Sequence, residues 1–111
     1  MRERSDPCRN CDAASRSAAA EMLRLLAHPL RLKIVARLAQ TGECAAGALL
    51  EGVDASQSAC SQHLAALRTG GLVCCRREGT RRHYSLAFTR ETEIRTVLQA
   101  ILEWAQESGA D

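Results

Sequence analysis

Aromatic residues are almost missing from this 111-residue chain; Trp104, Tyr84 and Phe88 are the only three. Its core must therefore be aliphatic, and one modest core in a single domain is what a chain of this length can bury. Long apolar runs are missing too, and none approaches the roughly 20 residues of a membrane-spanning helix. The start, Met1-Arg-Glu-Arg-Ser, is too charged for a signal peptide. A cytoplasmic protein without a membrane partner is expected. Acidic residues are absent between Ser56 and Arg68, and histidine is absent from residues 90–111. The first gap leaves a stretch that nucleic-acid phosphates would not repel.

Charge is unevenly spread. The net value is only +2, and 14 of the 15 basic residues are arginine, the exception being Lys33. Residues 56–90 hold Arg68, Arg76, Arg77, Arg81, Arg82 and Arg90 against Glu78, whereas residues 91–111 hold Glu91, Glu93, Glu103, Glu107 and Asp111 against Arg95. A basic middle and an acidic end imply one phosphate-facing surface and another surface with a different task. The six cysteines are Cys8, Cys11, Cys44, Cys60, Cys74 and Cys75. In a reducing cytosol they point to metal binding or redox sensing rather than structural disulfides.

Residues 1–12 lack periodicity and read as a flexible arm; residues 13–108 read as the folded domain. A first helix is expected from about Ala13 to Ala27, with Ala18, Ala19, Met22, Leu25 and Leu26 on one face. His28-Pro29 breaks it, and Pro29 can open the next helix at its first turn. That second helix, Leu30 to Ala39, turns Leu30, Ile34, Val35 and Leu38 inward and stops at Gln40-Thr-Gly42. A short third helix is expected over Cys44 to Leu50. Ser56 then serves as N-cap of a fourth, in which Cys60, Leu64 and Leu67 form an apolar stripe. The remaining surface offers Gln57, Ser58, Ser61, Gln62 and His63, short uncharged groups of the kind that bond base edges and phosphates.

Thr69-Gly70-Gly71 ends the fourth helix. Two β-compatible runs, Leu72–Arg77 and Arg81–Leu86, flank Glu78-Gly79-Thr80 and make a hairpin. Arginines on both sides of its tip suit phosphate or minor-groove contact. A last helix, from about Arg90 to Glu107, carries the stripe Ile94, Val97, Leu98, Ile101, Leu102 and Ala105. The expected fold is mainly α with a small β-hairpin: a winged helix-turn-helix that dimerises through its first and last helices. A two-fold dimer would present two reading helices to a two-fold operator.

The segments Leu25-Leu-Ala-His-Pro-Leu-Arg-Leu-Lys-Ile34, Ser56-Gln-Ser-Ala-Cys-Ser-Gln-His-Leu64, Leu67-Arg68, Gly71-Leu-Val73, Arg77-Glu-Gly79 and Tyr84-Ser-Leu86 occur in order and resemble the ArsR/SmtB family of bacterial winged-helix repressors. The resemblance runs from about residue 20 to 90. It implies a homodimer that represses its operon, is not an enzyme, and releases double-stranded operator DNA when an inducer binds. Carried over by position, Ser56, Gln57, Ser58, Ser61, Gln62, His63 and Arg68 belong to the reading helix, and Arg76, Arg77, Arg81 and Arg82 to the wing.

Family members place their sensor sites differently. The zinc-type site on the last helix needs histidine and is expected to be absent here; His28, His63 and His83 are better explained by structure or DNA contact. The thiol-type site places Cys-Val-Cys-Asp at the start of the third helix. Glu43-Cys44-Ala45-Ala46-Gly47-Ala48 stand there in this chain, with Ala45 and Gly47 at the usual cysteine positions and Cys44 one step early. Some members also recruit cysteines from the N-terminal arm of the opposite subunit, a role that Cys8 and Cys11 fit. Cys8, Cys11 and Cys44 are thus the expected sensor set, with no cofactor required. Their inducers would be arsenite, antimonite, Cd²⁺ or Pb²⁺, which prefer sulfur. Cys60 reads as core, and Cys74 and Cys75 as neighbours pointing to opposite faces of a strand. The alternatives are the same repressor sensing oxidants or reactive sulfur through a disulfide or persulfide and, more remotely, a small Cys8-x-x-Cys11 thiol oxidoreductase.

Overall fold

The computed structural model describes residues 12–109, so Cys8 and Cys11 lie outside the described residues. Along the chain run α1 (Ala13–Leu26), α2 (Pro29–Thr41), β1 (Cys44–Ala45), α3 (Ala46–Leu49), α4 (Gln57–Thr69), β2 (Val73–Glu78), β3 (Arg81–Leu86), a single 3₁₀ turn (Phe88–Arg90) and α5 (Glu91–Glu107). Asp12, expected in the arm, caps α1: its carboxylate accepts from the Ser15 N–H at 2.7 Å, pairing one of the donors that a helix start leaves open. His28 is extended (φ −156°, ψ 128°) ahead of Pro29, which needs no donor at the first helical position.

The sheet differs from the expected hairpin in having a third strand. β3 lies in the middle, antiparallel to both β2 and β1, with Cys44 opposite Tyr84 and Ala45 opposite His83. The helix expected over residues 44–50 is correspondingly shortened to Ala46–Leu49. Gly42, with φ at 78°, turns the chain out of α2 toward the open edge of β3. There the main-chain groups of two residues gain partners that a helical turn would not have supplied. The β2–β3 turn is the two-residue Gly79-Thr80, closed by the pair Glu78–Arg81. The first of these residues needs φ of +66°, which glycine adopts without strain.

All these elements converge on one aliphatic core: Leu25 and Leu26 from α1, Ile34, Val35 and Leu38 from α2, Leu49, Leu64 and Leu67 from α3 and α4, Leu72, Val73 and Leu86 around the hairpin, and Ile94 and Leu98 from α5. Tyr84 is its single aromatic member. Each such aliphatic side chain contributes roughly 1.5–3 kcal/mol on burial. The apolar faces of α1 and α5 are only partly consumed. Leu23, Ile101, Leu102 and Trp104 stay 56%, 49%, 41% and 62% exposed. Among the described residues no helix is long and apolar enough to cross a membrane.

Candidate nucleic-acid interface

The start of α4 is set by Ser56, whose Oγ accepts from the Ala59 N–H at 3.0 Å. From there the helix separates two surfaces. Cys60, Leu64 and Leu67 are buried, which places Cys60 in the packing as its spacing predicts. Gln57, Ser58, Ser61 and Gln62 are exposed. At about 100° per residue they occupy an arc of about 140°. No carboxylate interrupts this arc. Arg68 is exposed in the last turn, at the opposite end of α4 from Ser56, where a cation complements the helix dipole.

Behind α4, Arg37 of α2 holds the connection that precedes it. One guanidinium nitrogen, Nη1, lies 2.9 Å from the Leu49 carbonyl oxygen, 3.1 Å from that of Glu51 and 3.3 Å from that of Ala48. Three carbonyls at the end of a one-turn helix are thereby gathered on one donor group. Nothing in the sequence pattern marks Arg37 for this task.

His63 does not share the outward face expected of it. Its Nδ1 accepts from Arg31 Nε at 3.0 Å, and its ring meets that of His28 at a centroid distance of 4.1 Å and a tilt of 46°. His28 in turn accepts from the Leu30 N–H through its own Nδ1 at 3.1 Å, and Arg31 donates from Nη1 to the Leu25 carbonyl at 3.3 Å. The helical period carries the signal for this placement: His63 lies about 100° past Gln62 and about 40° from Leu67, beside the buried stripe. Burial first, then the nearby His28 and Arg31, hold the imidazole below its ordinary value of 6.5. That shift favours the neutral imidazole, the form whose Nδ1 can accept from Arg31.

The wing is also more divided than its arginine count implies. Arg76 forks onto Glu43, donating from Nε to Oε2 at 3.0 Å and from Nη2 to Oε1 at 2.8 Å, with Glu78 a further 3.9 Å away. That pairing draws the Glu43 carboxyl below its ordinary range and pushes the Arg76 guanidinium up. Arg76, expected on DNA, thus spends its planar fork on a carboxylate that precedes β1. Arg77, Arg81 and Arg82 are exposed. Arg77 and Arg82 face each other across the two strands. Gln57 and Ser61 of α4, Arg81, Arg82 and Thr80 of the wing, and residues of α3 line a groove of about 670 Å³. A groove with uncharged hydrogen-bonding groups on one wall and arginines on the other suits a sugar–phosphate strand whose bases meet α4.

Of the expected sensor residues, the structure places only Cys44. It is half-buried against the core, on the β1 residue opposite Tyr84, and Cys75 of β2 stands opposite the same tyrosine from the other side. Two strand spacings separate these thiols by about 10 Å, beyond the reach of a disulfide. Cys74 is exposed and Cys75 half-buried, as strand alternation requires. No cluster of three or more Cys, His, Asp or Glu with metal-binding geometry occurs among the described residues.

Two packed helices, a reading helix and a hairpin wing define a winged helix-turn-helix DNA-binding domain. Residues 26–76 match the family described as a helix-turn-helix domain. The chain is 40% identical over 80 residues to the biofilm growth-associated repressor of Agrobacterium fabrum, covering 72% of this chain and 68% of that one. It is 39% identical over 67 residues to the arsenical resistance operon repressor of Escherichia coli, covering 60% and 57%. Among solved structures, the homodimeric winged helix-turn-helix DNA-binding domain of a possible ArsR-family transcriptional regulator from Mycobacterium bovis superposes with a TM-score of 0.68 at 33% identity, covering 93% of this chain and 91% of that one. The protein belongs to the ArsR/SmtB family of winged-helix transcriptional regulators. It is a DNA-binding transcriptional regulator.

Proposed function

We propose that the protein is a homodimeric repressor that reads a two-fold-symmetric operator through its two α4 helices and lets go when its thiols bind a soft metal or metalloid. The observation that carries the DNA reading is the uncharged face Gln57–Gln62 set across a groove from Arg81 and Arg82. Dimerisation is supported by the exposed apolar residues of α1 and α5, and by the M. bovis relative, which is described as homodimeric.

Release is supported by where Cys44 sits. β1 is hydrogen-bonded to wing strand β3, and the preceding Glu43 grips Arg76 of wing strand β2. A ligand that draws Cys44 outward therefore pulls on both strands of the wing. Cys44 with Cys8 and Cys11 of the partner subunit would supply three thiolates for arsenite, antimonite, Cd²⁺ or Pb²⁺. The E. coli relative is named for arsenical resistance. A coupling of about 1–3 kcal/mol between thiols and DNA is enough to relieve repression. In a gel-shift with the native operator, at least one of arsenite, Cd²⁺ or Pb²⁺ is expected to release the wild type and to leave Cys44→Ser bound. Retention of the wild type by all of them would refute the metal-release reading.

The exposed Cys74 favours a second reading, in which oxidants or reactive sulfur act on thiols of the same repressor. Mass spectrometry after mild oxidant would then show a defined crosslink or persulfide that reduction removes. DNA release with all thiols still free would exclude it.

A further inference from the structure

The contact that ties α4 to the start of α2 has no counterpart in the DNA-reading scheme. Three side chains make it: His28, which caps α2; Arg31, one turn on; and His63, the inward residue of α4. The Arg31–His63 hydrogen bond spans 32 residues of sequence and is half-buried. Since Arg31 also donates to the Leu25 carbonyl, one guanidinium joins the end of α1, the start of α2 and the reading helix.

We propose that His28 and Arg31 are positioning residues for DNA reading, that they orient α4 by holding His63, and that the hold lasts only while the His63 Nδ1 lone pair is free to accept, so that acid weakens operator binding. This inference rests on α4 being the reading helix. A protonated imidazole has two donors and no acceptor, so the Arg31 bond is lost and a cation faces a cation. The surroundings do little to absorb that charge. Elements packed around His63 bring His28, Arg31 and Lys33 from α2 and Asp54 from the α3–α4 connection, the last being the one carboxylate lining that cleft. No α1 residue lines that cleft, α1 offers the Leu25 carbonyl to Arg31, and α4 has no acid between Ser56 and Arg68.

The sign of the effect on folding follows the same logic. His63 titrates below 6.5 in the fold and near 6.5 in the unfolded chain. Its contribution to stability is complete above that value and declines as pH falls through it, because the unfolded chain takes the proton first.

The direction on DNA is what separates this role from direct contact. An imidazole facing phosphates would tighten binding on protonation, whereas a holding imidazole would loosen it. The probe is a duplex that the wild type selects from a random-sequence pool, titrated by fluorescence anisotropy at fixed ionic strength from about pH 7.5 to about pH 5.5, the range in which histidine changes charge. Wild-type affinity is expected to fall about fivefold or more, a typical coupling between linked sites. His63→Asn offers Arg31 an acceptor that does not titrate, and should lose less than half as much.

An NMR titration of the His63 ring needs no DNA. Its midpoint should move up in His28→Ser, which keeps a capping oxygen but removes the second ring, and up again in Arg31→Gln. Equal acid slopes in wild type and His63→Asn would overturn the proposal, as would tighter binding in acid. Should His63→Asn fail to fold by circular dichroism, midpoints unmoved by His28→Ser and Arg31→Gln would overturn it on their own. A pool from which no duplex is enriched would defeat the DNA-reading assignment instead, and the NMR midpoints would still decide the His28–Arg31–His63 link.

Discussion

Glutamate at both Ile101 and Leu102 is expected to turn the dimer into a folded monomer and to weaken operator binding by about 10²- to 10⁴-fold. These residues are 49% and 41% exposed, and Leu23 of α1 and Trp104 of α5 are exposed as well. The fold itself does not depend on them: α5 is anchored by Ile94 and Leu98, at 0% and 4% exposure. Separating the protomers removes the second reading helix, whose binding in a dimer is effectively intramolecular and multiplies affinity by about 10²–10⁴. Light scattering would give the mass, circular dichroism the fold and anisotropy the affinity. A variant that stays dimeric, or a monomer that binds as tightly as wild type, would show that α5 is not the interface the operator requires.

Alanine at Arg77, Arg81 and Arg82 together should reduce affinity for every duplex, matched or not, and should flatten its salt dependence. Each arginine that neutralises a phosphate contributes about 0.9 to the slope of log affinity against log salt, so the triple variant should lose between about two and three units of slope. Arg76→Ala provides the contrast. Its guanidinium is committed to Glu43 at 2.8 and 3.0 Å, so the slope should change by well under one unit. A large slope change in Arg76→Ala with little in the triple variant would move the phosphate contact from the wing tip to the outer face of the sheet.

The parts of this structure that could be read in advance are those decided within a few residues. His28-Pro29 separates two helices, because a proline restricts its predecessor and opens the next turn by itself. Ser56 and Thr69-Gly70-Gly71 bound α4, and Gly79 gives the hairpin its turn. The helical period also separates Cys60 from the exposed glutamines. What the sequence concealed depends on partners far along the chain. A two-residue strand at Cys44–Ala45 has no periodicity of its own and exists because β3 offers it an open edge. The Glu43–Arg76 fork joins residues 33 positions apart, and Arg31 meets His63 across 32. Both engage with another side chain a group that composition alone would assign to DNA. The proposed sensor is the least legible part, since two of its three expected cysteines precede residue 12 and the third, Cys44, sits on the unforeseen strand.

The most direct test of the central claim, that α4 reads base sequence, is selection of duplexes from a random-sequence pool by wild type and by a variant with alanine at Gln57 and Gln62. Wild type should enrich a two-fold-symmetric site whose half-sites are about one helical turn, roughly 10 base pairs, apart. The variant should still bind through its arginines but relax its preference at defined positions in each half-site, losing about 1–3 kcal/mol of discrimination for each base contact removed. An enriched site that is identical for wild type and variant would contradict the assignment of α4 as the reading helix.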